Sequence, residues 1–389
     1  MKPVKERIAT LAVFLANGFG IGAWAVEVPR IKESLALSDT ALGIALFAFA
    51  LGAIVAMPLA GRLAPRFGSG RATALLAVAF VIALPLPALM PGFLPLCIAL
   101  LVLGASNGAL DVSMNGHAST IETEWRAPIM SSFHAAWSAG GLLGAASGAL
   151  IQKWGGGIVG GLAWPAVFIG VIVVAAALLA LRDIGERATD SGGGLALPSA
   201  GVMRLAALAF LCMMVEGAVA DWSAVFLRSA LEGDASVAAL GYSAFALSMA
   251  ACRIVGDVSV RRFGPGTVVA IGGLIAATGL ALVLGLPNVV TACVGFALVG
   301  IGLANIVPVI FSAAGRSTAT PAIGVSMAAT AGYAGFLVGP PLIGLGAGFV
   351  GLRLALGVPV AAALIVCMFG GRAVSHASGA STTAENQPT

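Results

Sequence analysis

Asn107, Asp111 and Asn115 stand four residues apart in "SNGALDVSMNGH", which continues the apolar run "LPLCIALLVLGA". On a helix that spacing puts all three on one face. One carboxyl between two amides can hold a hydroxyl, exchange a proton, or do both in turn. Near a bilayer centre such a carboxyl costs about 2.5–3.5 kcal/mol on insertion scales, so it needs a cavity or a partner. The alternative use is a hydrogen-bond cluster that fixes helix packing.

Other polar residues interrupt apolar runs in the same way. Glu216 lies twelve residues into 204–226, with Asp221 and Trp222 nearer the far end. Glu216 and Asp221 are five apart and do not share a face, so one can serve chemistry while the other packs. His134 titrates near neutrality and is a candidate proton relay, or a packing histidine. Trp137, three residues on, neighbours it on one face. Trp137, Tyr333, Trp24 and Trp222 offer stacking surfaces for a planar solute. For Trp24 and Trp222, interfacial anchoring is the better reading. Glu27 sits beside Pro29 and Arg30, as a substrate or gating acid or as an interfacial residue paired with Arg30 or Lys32. Asn305 and Pro308 fall mid-run, and Pro340 and Pro341 in the next run; proline frees backbone carbonyls that can line a cavity. Arg253 and Asp257, four apart, read as a latch. Taken together, Asp111, Glu216 and His134 are candidates for proton coupling. Asn107, Asn115, Trp137, Asn305, Tyr333 and Glu27 are candidates for solute binding.

The elements that carry these residues must be membrane helices. Of 389 residues, 59% are hydrophobic and 9% charged, against about 25% charged in soluble domains. Twelve apolar stretches are long enough to span a ~30 Å hydrocarbon core: 7–26, 40–60, 72–91, 95–117, 128–152, 158–181, 204–226, 236–257, 265–285, 289–313, 322–347 and 351–371. They are about twice the length of barrel strands and do not alternate. Eleven further spans make the first a retained helix rather than a cleaved signal. The five cysteines are scattered through apolar runs with no disulfide or metal spacing. The expected fold is an all-α membrane protein.

With the N-terminus in the cytoplasm, fifteen of the twenty Lys and Arg fall on the cytoplasmic side and five outside. That bias orients the chain with both termini cytoplasmic and favours an even span count. The polar stretch 182–203, "RDIGERATDSGGGLALPSAGVM", separates six spans from six and reads as a flexible linker. The expected division is a bundle at 1–181, the linker 182–203, a bundle at 204–371 and a disordered cytoplasmic tail at 372–389. The halves resemble each other. "RFGSG" (66–70) returns as "RFGPG" (262–266), Trp137 falls on Tyr333, Gly148 on Gly344 and Gly104 on Gly300, all at an offset of 196. Paired six-helix repeats are an architecture of secondary transporters.

The chain resembles the major facilitator superfamily over essentially its whole length. The loop "GRLAPRFGSGR" (61–71) is similar to that family's signature between its second and third helices, with Gly61, Leu63, Arg66, Gly68 and Arg71 matching. Pro65 stands where the family has an aspartate. The resemblance implies a gating role for Arg66 and Arg71, beside Arg253 and Asp257. "GALDVSMNG", "VEGAVADW" and "AGYAGFLVGPPLIG" resemble the fucose-permease-like branch, including a bacterial inner-membrane group. In that branch an acid precedes an asparagine by four residues in the fourth helix, as Asp111 precedes Asn115. Its sugar permease has an acid late in the first helix, and Glu27, the nearest here, is shifted.

No phosphate-binding Gly-x-x-x-x-Gly-Lys-Ser/Thr is present, which excludes ATP-driven pumping by this chain. No nucleophile–base motif points to an enzyme, and no signalling domain points to a receptor. The net charge of +4 carries no nucleic-acid signal. The expected function is secondary transport by alternating access, proton-coupled, of a small polar solute across a bacterial inner membrane, by a monomer without cofactor or metal. The alternative is a drug/proton antiporter. Its Gly-Pro motif is absent from the fifth span, "WSAGGLLGAASG", and occurs here only in the eleventh, "VGPPLIG".

Overall fold

In lipid every backbone N–H and C=O must be satisfied within its own segment, and helices do this. The computed structural model of the chain describes residues 2–179, 181, 199–229, 235–286 and 288–375, and among these residues it holds no strand. Most of the expected linker, through 198, and the tail from 376 onward lie outside the described residues.

The first run of helices is α1 (Val4–Ser34), α2 (Asp39–Phe67), α3 (Ser69–Ala83), α4 (Phe93–Trp125), α5 (Met130–Lys153) and α6 (Ile158–Leu179). A second run follows with α7 (Ala200–Ser229), α8 (Ala235–Ile254), α9 (Gly256–Phe263), α10 (Pro265–Gly285), α11 (Val289–Leu303), α12 (Ile306–Arg316), α13 (Pro321–Val350), α14 (Leu352–Ala355) and α15 (Gly357–Ile365). The last of these continues into a π-helical turn, Val366–Gly370.

Among the described residues, ten helices are long and apolar enough to cross a membrane. The pair α8 and α9, bent by 59°, makes an eleventh. The remaining expected span, 128–152, is α5, with 24 residues; its glycines, serines and His134 lower its hydropathy without breaking its helix. The tenth expected span, 289–313, is broken into α11 and α12 at Ala304 and Asn305.

The helices group into two compact units. One comprises Met1–Arg126, Phe133–Leu195 and Thr320–Ser326; the other comprises Ala127–Ser132, Ala196–Ala319 and Met327–Thr389.

The sequence repeat is also a repeat of backbone. Gly68, before α3, has φ +86°, and Gly264, before α10, has φ +79°. Both adopt a positive φ that residues with a Cβ rarely take up, which is why glycine stands at both ends of the 196-residue offset. A Cβ on Gly104 of α4 would strike the Phe49 carbonyl of α2. A Cβ on Gly300 of α11 would strike the Phe245 carbonyl of α8. Phe49 and Phe245 are themselves 196 apart, so each unit makes the same close helix approach at the same place.

In the first unit α1 and α5 pack backbone to backbone. A Cβ on Gly18 would run into the Trp137 carbonyl, and one on Gly144 into the Phe19 carbonyl. Small residues permit this in a bilayer, where helix association rests on close van der Waals contact. Gly18→Ala is therefore expected to destabilise the protein by about 1–3 kcal/mol through overpacking. Gly43, in α2 with open space around its Cβ position, is the control. Gly43→Ala should leave the melting temperature unchanged or raise it, because alanine restrains the unfolded chain. Equal melting temperatures for the two variants would refute the close α1–α5 packing.

Candidate functional site

The expected polar face of α4 meets two other helices of the first unit. Asn107, Asn115 and His134 are buried, while Asp111 and Trp137 keep part of their surface accessible. Close packing of α1 on α5 brings in a residue that the sequence reading passed over. Asn17 of α1 is buried. Its Nδ2 donates to Asn107 Oδ1 at 2.9 Å, and its Oδ1 accepts from Trp137 Nε1 at 2.9 Å. One side chain thus ties α1, α4 and α5. The signal was present as a lone asparagine in "LAVFLANGFGIG", but it lacked a second polar residue at helical spacing.

Two turns further along α4, Asn115 Nδ2 donates to the Asp111 carbonyl at 2.9 Å and to Asp111 Oδ1 at 3.2 Å. Asn115 Oδ1 faces His134 Nε2 at 3.1 Å. The backbone carbonyl holds the amide with its nitrogen toward Asp111, so the amide offers His134 an oxygen. With the amide set this way, Nε2 is the donor. The His134 ring packs 5.8 Å from Phe14, centroid to centroid. Asp111, Asn115 and His134 therefore form one hydrogen-bonded chain, and Asn107, Asn17 and Trp137 form another beside it.

His117, two residues beyond Asn115, is fully buried, and its Nδ1 lies 2.8 Å from Ser69 Oγ of α3. Below it Thr73 Oγ1 and Ser113 Oγ are 3.0 Å apart. This ladder clamps α3 to α4 and holds the face that carries Asp111.

Glu27 lies three turns along α1 from Asn17 and is completely buried. Arg30 reaches both of its oxygens, the closer at 3.0 Å, and Gln152 Nε2 of α5 donates to Oε1 at 3.3 Å. Arg30 also donates to the Gly156 carbonyl at 2.7 Å. The acid is thus part of a network that joins the end of α1 to the end of α5.

In the second unit two helix breaks face each other. Where α8 stops, its last carbonyls lose their intrahelical donors. Asn305 Nδ2 reaches the Cys252 carbonyl at 3.3 Å. In return Arg253 Nε donates to the Ala304 carbonyl, at the end of α11, at 3.2 Å. Arg253 and Asn305 are both buried, and each caps the other's helix. Glu216 of α7 is half-buried and close enough to Arg253 for their charges to interact. Asp257, in the first turn of α9, accepts the Ser132 amide with both carboxylate oxygens, at 3.2 and 3.3 Å. Tyr333 of α13 is half-buried, and Trp222 Nε1 donates to the Pro340 carbonyl at 3.1 Å. Arg66 and Arg71 are exposed on either side of the Gly68 turn.

The sequence profile of the Major Facilitator Superfamily matches residues 10–198. An uncharacterised MFS-type transporter of Yersinia pestis is 36% identical over 375 residues, 96% of this chain and 97% of that protein. The membrane protein MosC of Rhizobium meliloti is 36% identical over 362 residues, 91% of this chain and 86% of that one. Among solved structures, the E. coli fucose:proton symporter FucP aligns with a TM-score of 0.78 and 16% identity, over 96% of this chain and 99% of that one. The proton:xylose symporter XylE aligns with a TM-score of 0.76 and 14% identity, over 96% of each chain. At those identities the likeness is one of fold. With ten helices and one bent pair long and apolar enough to cross a membrane among the described residues, an internal repeat in both sequence and backbone, and a relative of this identity along nearly its whole length, the chain belongs to the Major Facilitator Superfamily and is a multi-pass membrane transporter.

Proposed function

We propose that the chain is a proton-coupled transporter of a small polar solute in a bacterial inner membrane, with both termini in the cytoplasm. The observation that carries this reading is the chain Asp111–Asn115–His134, a carboxyl with part of its surface accessible, joined through a fixed amide to a titratable imidazole. Asn115 occupies Asp111 Oδ1 and leaves Oδ2 as the oxygen that takes up a proton or meets a solute hydroxyl. The carboxyl cycles between the two as the halves of the transporter alternate. His134, held by Phe14 and Asn115, hands protons to and from this group. Asn107 and Trp137, fixed by Asn17, present an amide and an aromatic face to the solute. In the second half Glu216 is the other acid within a span that can follow the proton, with Asn305 and Tyr333 toward the solute. Arg66, Arg71, Arg253 and Asp257 act in gating. Glu27, with Arg30 and Gln152 already on its oxygens, holds the α1–α5 contact at one end of the bundle. FucP and XylE, named as proton symporters, share the fold and support this reading without naming the solute.

The test has two steps. A thermal-shift screen against sugars, amino acids and carboxylates at two pH values identifies the solute. Proteoliposomes under an imposed pH gradient then report its uptake. Accumulation above the external concentration, abolished by a protonophore, is the expected result. Uptake that reaches the same plateau with and without the gradient would reduce the protein to a facilitator.

A further inference from the structure

A groove in the second unit takes no part in transport as proposed above. It runs between α7 and the last helix, with a volume of about 440 Å³. Leu211 of α7 lines it, with Ile365 and Phe369 opposite. These two are 38% and 57% exposed, so the apolar surface is open to whatever surrounds the protein. Arg204 and Arg372 also line it, and both are exposed.

The placement of these residues along the helices is specific. α7 begins at Ala200, so Arg204 stands near its start, and Leu211 follows two turns later, about 10 Å along the axis. The last helix packs on α7, with Gly370 against Leu208 and α15 before it further along α7, so it runs the other way, from Ile365 through Phe369 to Arg372. Both arginines therefore sit at the same end of the groove, where α7 begins and the described part of the last helix stops. The apolar wall extends from them toward the interior of the span.

The geometry points to a bound anionic phospholipid, its phosphate between Arg204 and Arg372 and one acyl chain along Leu211, Ile365 and Phe369. Guanidinium groups bind phosphate through planar, charge-assisted hydrogen bonds. A zwitterionic ethanolamine head would bring an ammonium toward the same two cations and lose part of that attraction. A free phosphate would use the arginines and leave the apolar wall uncovered, whereas a lipid satisfies both. Basic pockets between membrane helices at the bilayer surface suit such headgroups.

The test is lipid binding to the purified full-length protein, read by native mass spectrometry and by thermal stability. Phosphatidylglycerol is compared with phosphatidylethanolamine of the same chains and with inorganic phosphate. Phosphatidylglycerol is expected to bind and protect, phosphatidylethanolamine to do so more weakly, and phosphate alone not to protect. In the Arg204→Gln/Arg372→Gln double variant the preference should fall on the order of thirtyfold, as two surface cations are removed. The Arg204→Lys/Arg372→Lys variant, which keeps the charge, should retain much of it and guards against a folding defect. Ala207 also lines the groove and is exposed, so Ala207→Trp should block the chain while leaving both arginines in place. An unchanged preference in the double Gln variant, or protection by phosphate equal to that by the lipid, would overturn the site.

Discussion

Asp111→Asn is expected to abolish pH-driven accumulation of the solute while leaving movement down its own gradient. Asparagine has the shape of aspartate and keeps an oxygen for Asn115 Nδ2, now 3.2 Å from Asp111 Oδ1. The α4 face and its contact with His134 should therefore survive. What disappears is the group that gains and loses a proton. A gradient of one pH unit is worth about 1.4 kcal/mol per proton, or about tenfold in accumulation for one-proton coupling. The wild type should approach that ratio in proteoliposomes, and the variant should stay at parity with the outside at every imposed pH. Asp111→Glu keeps the carboxyl on a longer arm and should restore coupling in part. Uphill uptake by Asp111→Asn equal to wild type would remove Asp111 from the coupling role and leave Glu216 as the acid to test.

Arg253→Met is expected to cost about 1–3 kcal/mol of stability, the range found when a buried hydrogen-bond acceptor is left without its partner. Two losses combine. The Ala304 carbonyl, at the break between α11 and α12, loses the donor now 3.2 Å away, and a buried carbonyl without a partner carries its full desolvation cost. Glu216 also loses the positive charge that interacts with it. A lowered melting temperature of the purified protein is the direct measurement. Adding Glu216→Gln should cost less in the Arg253→Met background than in wild type, because the two residues act as a unit. Additive losses would show that Arg253 serves only as the cap of α11. Asn305→Leu removes the reciprocal cap on Cys252 and should be the milder change, since it removes a neutral hydrogen bond.

Much of the fold was legible because a bilayer simplifies the problem. An apolar run long enough to cross it can only be a helix or part of a barrel, and the length of these runs decided between the two. The repeat was legible for a similar reason. Glycine at 68 and 264 answers to one backbone conformation, and glycine at 104 and 300 to one helix contact. In each case the residue type is dictated by geometry and so recurs at the same offset. The polar face of α4 could be read because its three members share one helix, where spacing determines direction.

Partners on other helices could not be read in that way. Asn17 is one asparagine in an apolar run, and only the backbone contact of α1 with α5 puts it between Asn107 and Trp137. Arg253 and Asn305 are 52 positions apart, and their mutual capping exists only because two broken helices pack with their breaks side by side. Glu27 was left between an interfacial residue and a binding one; the structure surrounds it with Arg30 and Gln152.

The sequence by itself determined that this chain is a helical membrane protein with an internal repeat and an acid–asparagine face on its fourth span, because hydropathy and helical period are properties of a single segment. Only the tertiary structure decided which side chains complete that face, which acid is held in an ion pair and where helix breaks are capped. Those outcomes depend on hydrogen bonds between segments, whose length and direction are set by how closely one helix backbone can approach another.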